Sequence, residues 1–192
     1  PSLSARHRQR VFVMIDEHLE KLDLADGMYR SFAAAGLAWE TYRQRQGEPD
    51  SSAVDEALGH LKRAACDCIV AFGGGSAIDA AKVTAILAAN SELSLADLAD
   101  GAQPRNPRLP LVAVPTTAGT GSEATDVAVV ADNEAGIKRM IAHSGLIPDL
   151  AIIDACLTLG VPPAITAATG IDALTHAVEA YISPRATPLT NA

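Results

Sequence analysis

Asp172 and His176 stand four residues apart in AATGIDALTHAVEA, residues 167–180, a stretch made mostly of apolar or small residues. On a helix, that spacing puts both side chains on one face with Cβ atoms about 5 to 6 Å apart, which suits two ligands of one divalent ion. Two ligands alone do not hold a metal, and each residue has another use. If Thr169 caps a helix beginning at Gly170, Asp172 falls at the third helical position, the place of a capping-box acid. His176 is equally readable as a core histidine bonded to a neighbouring carbonyl. His7, His18, His60 and His143 show no spacing that points to this helix.

A second chemistry is written in AFGGGSAIDAAK. Gly73, Gly74 and Gly75 remove every Cβ from a turn after an apolar run, and Ser76 is expected as the N-cap of the next helix. Unpaired N–H groups and the positive helix end would let a diphosphate sit close to the backbone. The dinucleotide fingerprint G-x-G-x-x-G fails at Ile78, and no P-loop G-K-[ST] is present, so a tight turn needing positive φ angles is the competing reading. Asp79 and Lys82, three apart, are expected as a surface pair that complements the helix dipole. Thr116, Thr117, Thr120, Ser122 and Thr125 crowd the later turn PTTAGTGSEAT, where hydroxyls can bond ribose and phosphate; two such turns after buried strands favour a bipartite nucleotide site over a polar surface loop. Asp16, ending RVFVMID, is placed either to accept from adenosine ribose hydroxyls and repel a 2′-phosphate, or to cap a helix beginning at Glu17.

These residues need elements to position them. RVFVMID, LAWETY, CDCIVAF and LPLVAVP read as strands, with DVAVVAD and LIPDLAIID as further ones. Helical patterns lie between them, notably SAVDEALGHLKRAA and AIDAAKVTAILAAN. Strands alternating with helices imply an α/β fold with a parallel, doubly wound, Rossmann-like sheet covered on both faces. Near GVPPA the texture changes, and residues 164–182 favour helix. Residues 1–160 are therefore expected to form a dinucleotide-binding domain, and 161–192 to open a helical one.

Composition bounds the rest. With 48% hydrophobic residues the 192-residue chain can bury a real core. Fifteen Lys+Arg against 23 Asp+Glu give −8, without a basic cluster, so nucleic acid and anionic membrane are poor partners and a small molecule is the expected one. No apolar run reaches the ~20 residues of a membrane span and no leader is evident, so a cytoplasmic protein is expected. Cys66, Cys68 and Cys156 read as reduced thiols, the first two as small core residues on one face of a strand.

Taken in order, FGGGSAIDAAK, PTTAGTGSEAT and PPAITAATGIDALTHAVEAYIS resemble the iron-containing (group III) alcohol dehydrogenases, which share a dehydroquinate synthase-like fold with glycerol dehydrogenase. AAAGLAW and IIDACLTLGVPPAITAATGIDALTHAVEAYIS look most like the lactaldehyde reductase (1,2-propanediol oxidoreductase) branch. The resemblance implies NAD selected by Asp16, a pyrophosphate on Gly74, Gly75 and Ser76, hydroxyl contacts from Thr116, Thr117 and Thr120, and Lys138 at the nicotinamide end. It also implies that Asp172 and His176 are two of four Fe(II) ligands, through which they act in catalysis. The other two are histidines in a part of the family absent here, so the chain reads as a fragment, inactive by itself, of what in relatives is commonly a homodimer.

The implied reaction is hydride transfer between NAD and a small primary alcohol or diol, giving the aldehyde. Zinc would suit a carboxylate with three imidazoles equally well. Competing readings are a dehydroquinate synthase-type lyase, a glycerol dehydrogenase-like zinc enzyme, and a dinucleotide-binding module without chemistry. Two positions depart from the family pattern: Asp154-Ala155-Cys156-Leu157 stands where Asp-Pro-x-Leu is usual, and Glu48-Pro49 where Asn-Pro is.

Overall fold

The computed structural model describes residues 10–45, 47 and 49–190; Glu48, half of the second departure, lies outside the described residues. Strand β1 (Arg10–Asp16) is followed by two short helices, α1 (Glu17–Lys21) and α2 (Asp26–Ala34), and then by β2 (Ala38–Gln44). Helix α3 (Ser51–Ala64), β3 (Cys68–Gly73), α4 (Gly75–Ala89), α5 (Leu95–Ala99) and β4 (Leu111–Pro115) come next. The chain continues through β5 (Val127–Asp132), β6 (Ile137–Ala142) and the two-residue β7 (Leu150–Ala151), and ends in α6 (Pro163–Ile182).

The main sheet is parallel, in the order β2-β1-β3-β4-β7. Alternation along its strands divides the core in two. Phe12, Met14, Ile69, Ala71, Leu111 and Ala113 pack with α3, α4 and α5 on one face. Val11, Val13, Ile15, Val70, Phe72, Val112 and Val114 face Phe32 of α2 on the other. The doubly wound sheet is as expected. Cys66 and Cys68, however, do not share a face: Cys66 precedes β3 and joins the first cluster, while Cys68 joins the second. Burial pushes the Cys66 thiol up to about 11, so it stays a neutral core group.

Two strand expectations need correction. DVAVVAD forms β5, but it leaves the main sheet and pairs antiparallel with β6, whose sequence IKRMIA carries no clear strand pattern. LIPDLAIID contributes only Leu150–Ala151 to the sheet. The hairpin is tied back where the Ala131 N–H donates to the Pro49 carbonyl at 2.8 Å.

Helix α4 departs from an amphipathic surface helix. Residues 77–87 are all buried, including Asp79 and Lys82, so the expected surface pair is an internal one. Lys82 Nζ donates to the Val127 carbonyl at 2.8 Å, the Thr125 carbonyl at 3.0 Å and Thr125 Oγ1 at 3.1 Å. Asp79 Oδ2 accepts from the Val129 N–H at 2.9 Å. Burial pushes the Asp79 carboxyl above its ordinary range and Lys82 below its own, against their mutual attraction.

Candidate active site

The chain runs from β1 outward to β2 and returns across β1 to β3, so the strand order reverses between β1 and β3. In an open α/β sheet the crevice outside the carboxyl ends at such a point is where ligands bind. Asp16 ends β1 and Gly73 ends β3.

A cleft of about 330 Å³ opens there. Asp16, Gly74, Gly75, Ser76, Thr116, Thr117 and Thr120 all line it, so the structure brings seven separately read residues together. Asp16 also caps α1, its Oδ1 accepting from the His18 N–H at 2.8 Å. Both readings of that residue are compatible, since capping engages one carboxylate oxygen. Sequence reasoning missed Gln44 and Arg45, which line this cleft at the end of β2, and Val161, Pro162 and Ile165 just before and within the first turn of α6.

The glycines are needed for close approach rather than for positive φ. Gly74 sits at φ −75°, and Gly73, Gly74 and Gly75 are absent from the residues of positive φ. A Cβ on Gly73 would fall 2.7 Å from that of Ala77, and one on Gly75 would fall 2.8 Å from Thr120 Cγ2. Gly74 faces Thr117 Oγ1 at 3.2 Å by the same measure. The glycine turn and the threonine turn are therefore pressed together, and the Thr116 N–H donates to the Gly73 carbonyl at 3.0 Å. Ser76 is not the N-cap: α4 begins at Gly75 with Gly74 in that role, which leaves Ser76 inside the first turn. A cradle free of side chains at a helix start, where N–H groups lack intrahelical partners, fits the pyrophosphate of a dinucleotide.

A second cleft, of about 690 Å³, adjoins the first. Gly75, Ser76 and Thr120 line both. Its walls carry Asp172, His176 and Glu179 from α6, Asp79 from α4, and Val127, Val129, Ala131 and Met140 from the hairpin. Gly119 brings α6 up to the threonine turn, since a Cβ there would lie 2.2 Å from the Thr169 carbonyl oxygen.

The helix carrying Asp172 starts at Pro163, not Gly170, so Thr169 is no cap; its hydroxyl donates to the Ile165 carbonyl at 3.0 Å. Asp172 is accordingly in mid-helix, outside any capping box. His176 Nε2 lies 3.7 Å from Asp172 Oδ1, and neither side chain is buried, which removes the core-histidine reading. Among the described residues no group of three or more His, Cys, Asp or Glu is arranged to hold a metal ion. The pair thus fits two ligands of a divalent ion by donor chemistry and spacing, and does not form a complete site. Lys138 lines neither cleft; two residues from Met140 on β6, it shares that strand's cleft-facing side one step farther along. Cys156, in the Asp154-Ala155-Cys156-Leu157 departure, is exposed in a short 3₁₀ turn, and its own N–H donates to Asp154 Oδ1 at 2.9 Å.

Comparison with known proteins agrees with this geometry. Residues 1–155 match the family model of iron-containing alcohol dehydrogenase, and residues 166–192 match the C-terminal model of the same family. The probable alcohol dehydrogenase EutG of Salmonella typhimurium is 49% identical over 187 residues, covering 97% of this chain and 47% of that protein. The lactaldehyde reductase of Escherichia coli is 38% identical over 97% of this chain and 49% of its own. The structure of sulfoacetaldehyde reductase from Bifidobacterium kashiwanohense in complex with NAD+ superposes with a TM-score of 0.81 at 34% identity, covering 93% of this chain and 47% of that one. The chain spans about half the length of the curated relatives it matches. By its sequence, its sheet and both of its turns, it belongs to the iron-containing alcohol dehydrogenase family.

Proposed function

We propose that the whole protein is an NAD-dependent, divalent-metal-dependent alcohol dehydrogenase that interconverts a small primary alcohol or diol and its aldehyde. The observation that carries this reading is the junction of the two clefts at Gly75, Ser76 and Thr120, which sets a dinucleotide cradle directly beside Asp172 and His176. NAD would exchange the hydride, and a divalent ion, Fe(II) by family and zinc by ligand chemistry, would act as Lewis acid on the alcohol oxygen.

The chain's own residues bind and orient. Asp16 accepts from the adenosine ribose hydroxyls and repels a 2′-phosphate. The N–H groups at the start of α4 receive the pyrophosphate, and the hydroxyls of Thr116, Thr117 and Thr120 close over the cofactor from β4. Lys138 reaches toward the nicotinamide end from the hairpin. Asp172 and His176 hold two positions of the ion from one helix face. Residues 1–160 serve as the dinucleotide-binding domain, and 161–192 open the metal-binding one. In this reading the enzyme is cytoplasmic and homodimeric, with an alcohol or aldehyde as its small-molecule partner.

The test uses the full-length protein. Asp172→Ala is expected to lose bound metal while NADH still binds with clear preference over NADPH, as read by metal analysis and fluorescence titration. A variant that keeps its metal would remove Asp172 from the site. Stable NADH formed from NAD and a simple alcohol is the second expected result; a lyase that returns its hydride within each turnover would not give it.

A further inference from the structure

Gln44 ends β2 beside Asp16: the two are register partners on adjacent strands, spaced at about 4.8 Å, at the edge where the first cleft opens. Its side chain is only 4% exposed, yet it is poorly satisfied. Nε2 donates to the Ser76 carbonyl at 3.5 Å, the outer limit of such a bond, while Oε1 is buried and accepts no hydrogen bond among the described residues. Turning the amide end for end would set its oxygen against the Ser76 carbonyl oxygen, so the orphaned group is the acceptor.

Nothing on the far side of Gln44 supplies the missing donor. Gln44 also borders a polar pocket of about 170 Å³, where the Tyr42 hydroxyl donates to the Ala53 carbonyl at 3.1 Å and the Ser52 hydroxyl to Asp50 at 2.8 Å. Arg45, on the same wall, is exposed and makes no bond to Oε1. A buried carbonyl without a partner is costly, and an apolar side chain of similar length would not carry that cost. Folding alone therefore gives a poor account of an amide here.

A ligand in the first cleft gives a better one. A ribose carries two neighbouring hydroxyls, each able to donate. Asp16 already takes the His18 N–H on Oδ1, which leaves its second oxygen for one hydroxyl, and Gln44 is the adjacent residue with an unused acceptor for the other. The terminal torsion of a glutamine is soft, so a small turn presents Oε1 to the cleft when a donor arrives there.

We propose that Gln44 is a second acceptor for the adenosine ribose, taking one hydroxyl while Asp16 takes the other, so that the ends of β1 and β2 read the diol as a unit. This rests on the dinucleotide reading of the first cleft and adds to it a contact from β2.

The experiment titrates the full-length protein, by fluorescence, with NADH and with its 2′-deoxyadenosine and 3′-deoxyadenosine analogues, each lacking one ribose hydroxyl. The parent is expected to bind both analogues more weakly, by about fivefold for the hydroxyl that meets the amide and about tenfold or more for the one that meets the carboxylate. Gln44→Met removes the orphaned acceptor at similar volume and is expected to keep the thermal stability of the parent. It should weaken NADH about fivefold and abolish the penalty for one analogue while the other penalty stays. Gln44→Glu keeps an acceptor but cannot donate to Ser76, and is expected to retain both penalties; if it behaved like Gln44→Met, the side chain would act only by holding α4 and the inference would fall. Three further results would overturn it: a parent indifferent to loss of either hydroxyl, a Gln44→Met variant that binds NADH as the parent does, or one in which both penalties persist. A parent that binds no NADH at all would remove the dinucleotide reading, and this one with it.

Discussion

Helices α3 and α6 are both long, and they are held by different forces. Asp50 caps α3, its Oδ1 accepting from the Ala53 N–H at 2.7 Å, and Val54, Ala57 and Leu61 bury one face against the sheet. α6 has proline in its first turn, no side-chain cap and no buried residue along its 20 positions; Ile171, Leu174, Val178 and Tyr181 are all more than half or half exposed. The α/β part is thus stabilised by packing, whereas α6 rests on propensity, intrahelical bonds and its close approach at Gly119. Under the proposed function, the cofactor contacts would stand on the packed part, and Asp172 and His176 on a helix without a buried residue among those described.

That contrast is open to attack at three strengths. Lys82→Met strands the buried Asp79 carboxylate and removes three hydrogen bonds, so about 3 to 5 kcal/mol of stability should go, read by denaturant unfolding; a loss under about 1 kcal/mol would mean that the α/β core is looser than its burial implies. Asp50→Ala should cost about 1 kcal/mol at neutral pH through the lost cap. The Asn133 side chain, the Ala53 N–H and Ser52 hold the Asp50 carboxyl below its ordinary 3.8. Its folded value being depressed, the contribution is fully present above 3.8 and fades as pH falls through the lower folded value, so the stability gap between parent and Asp50→Ala should narrow in acid. Leu174→Ala in this chain should change stability by less than about 0.5 kcal/mol, since the side chain is 59% exposed. A loss of about 2 kcal/mol would show that its face is covered and would erase the distinction between the helices.

The same contrast governs what the sequence disclosed. β1, β3 and β4 are legible because a strand buried on both faces reads as one apolar run, and the turns after them are legible because glycine and threonine cluster only where the backbone must approach something. β6 was not, since IKRMIA is a half-exposed hairpin strand with two cations, and the departure of β5 from the sheet depends on tertiary contacts that no local pattern records. The burial of Asp79 and Lys82 had a signal that the i,i+3 spacing obscured: AIDAAKVTAILAAN is apolar around its whole circumference, the mark of an internal helix. At the glycine turn the competing reading by positive φ fails, since close approach to Ala77 and Thr120 excludes side chains there. Asp172 and His176 are legible by their spacing, and the helical reading of residues 164–182 starts within one residue of the observed Pro163; only the competing start at Gly170, with Thr169 as cap, fails.

Gly75 and Ser76 of the glycine turn and Thr120 of the threonine turn line both clefts. Under the proposed function, a displacement of these turns required by one ligand would be felt by the other, and the affinity of each would then depend on occupancy of its neighbour by the same factor in both directions. An enzyme built this way need not have independent dissociation constants for cofactor and alcohol: if the first occupant draws the turn into the conformation the second requires, order of addition follows from three shared residues without a moving domain.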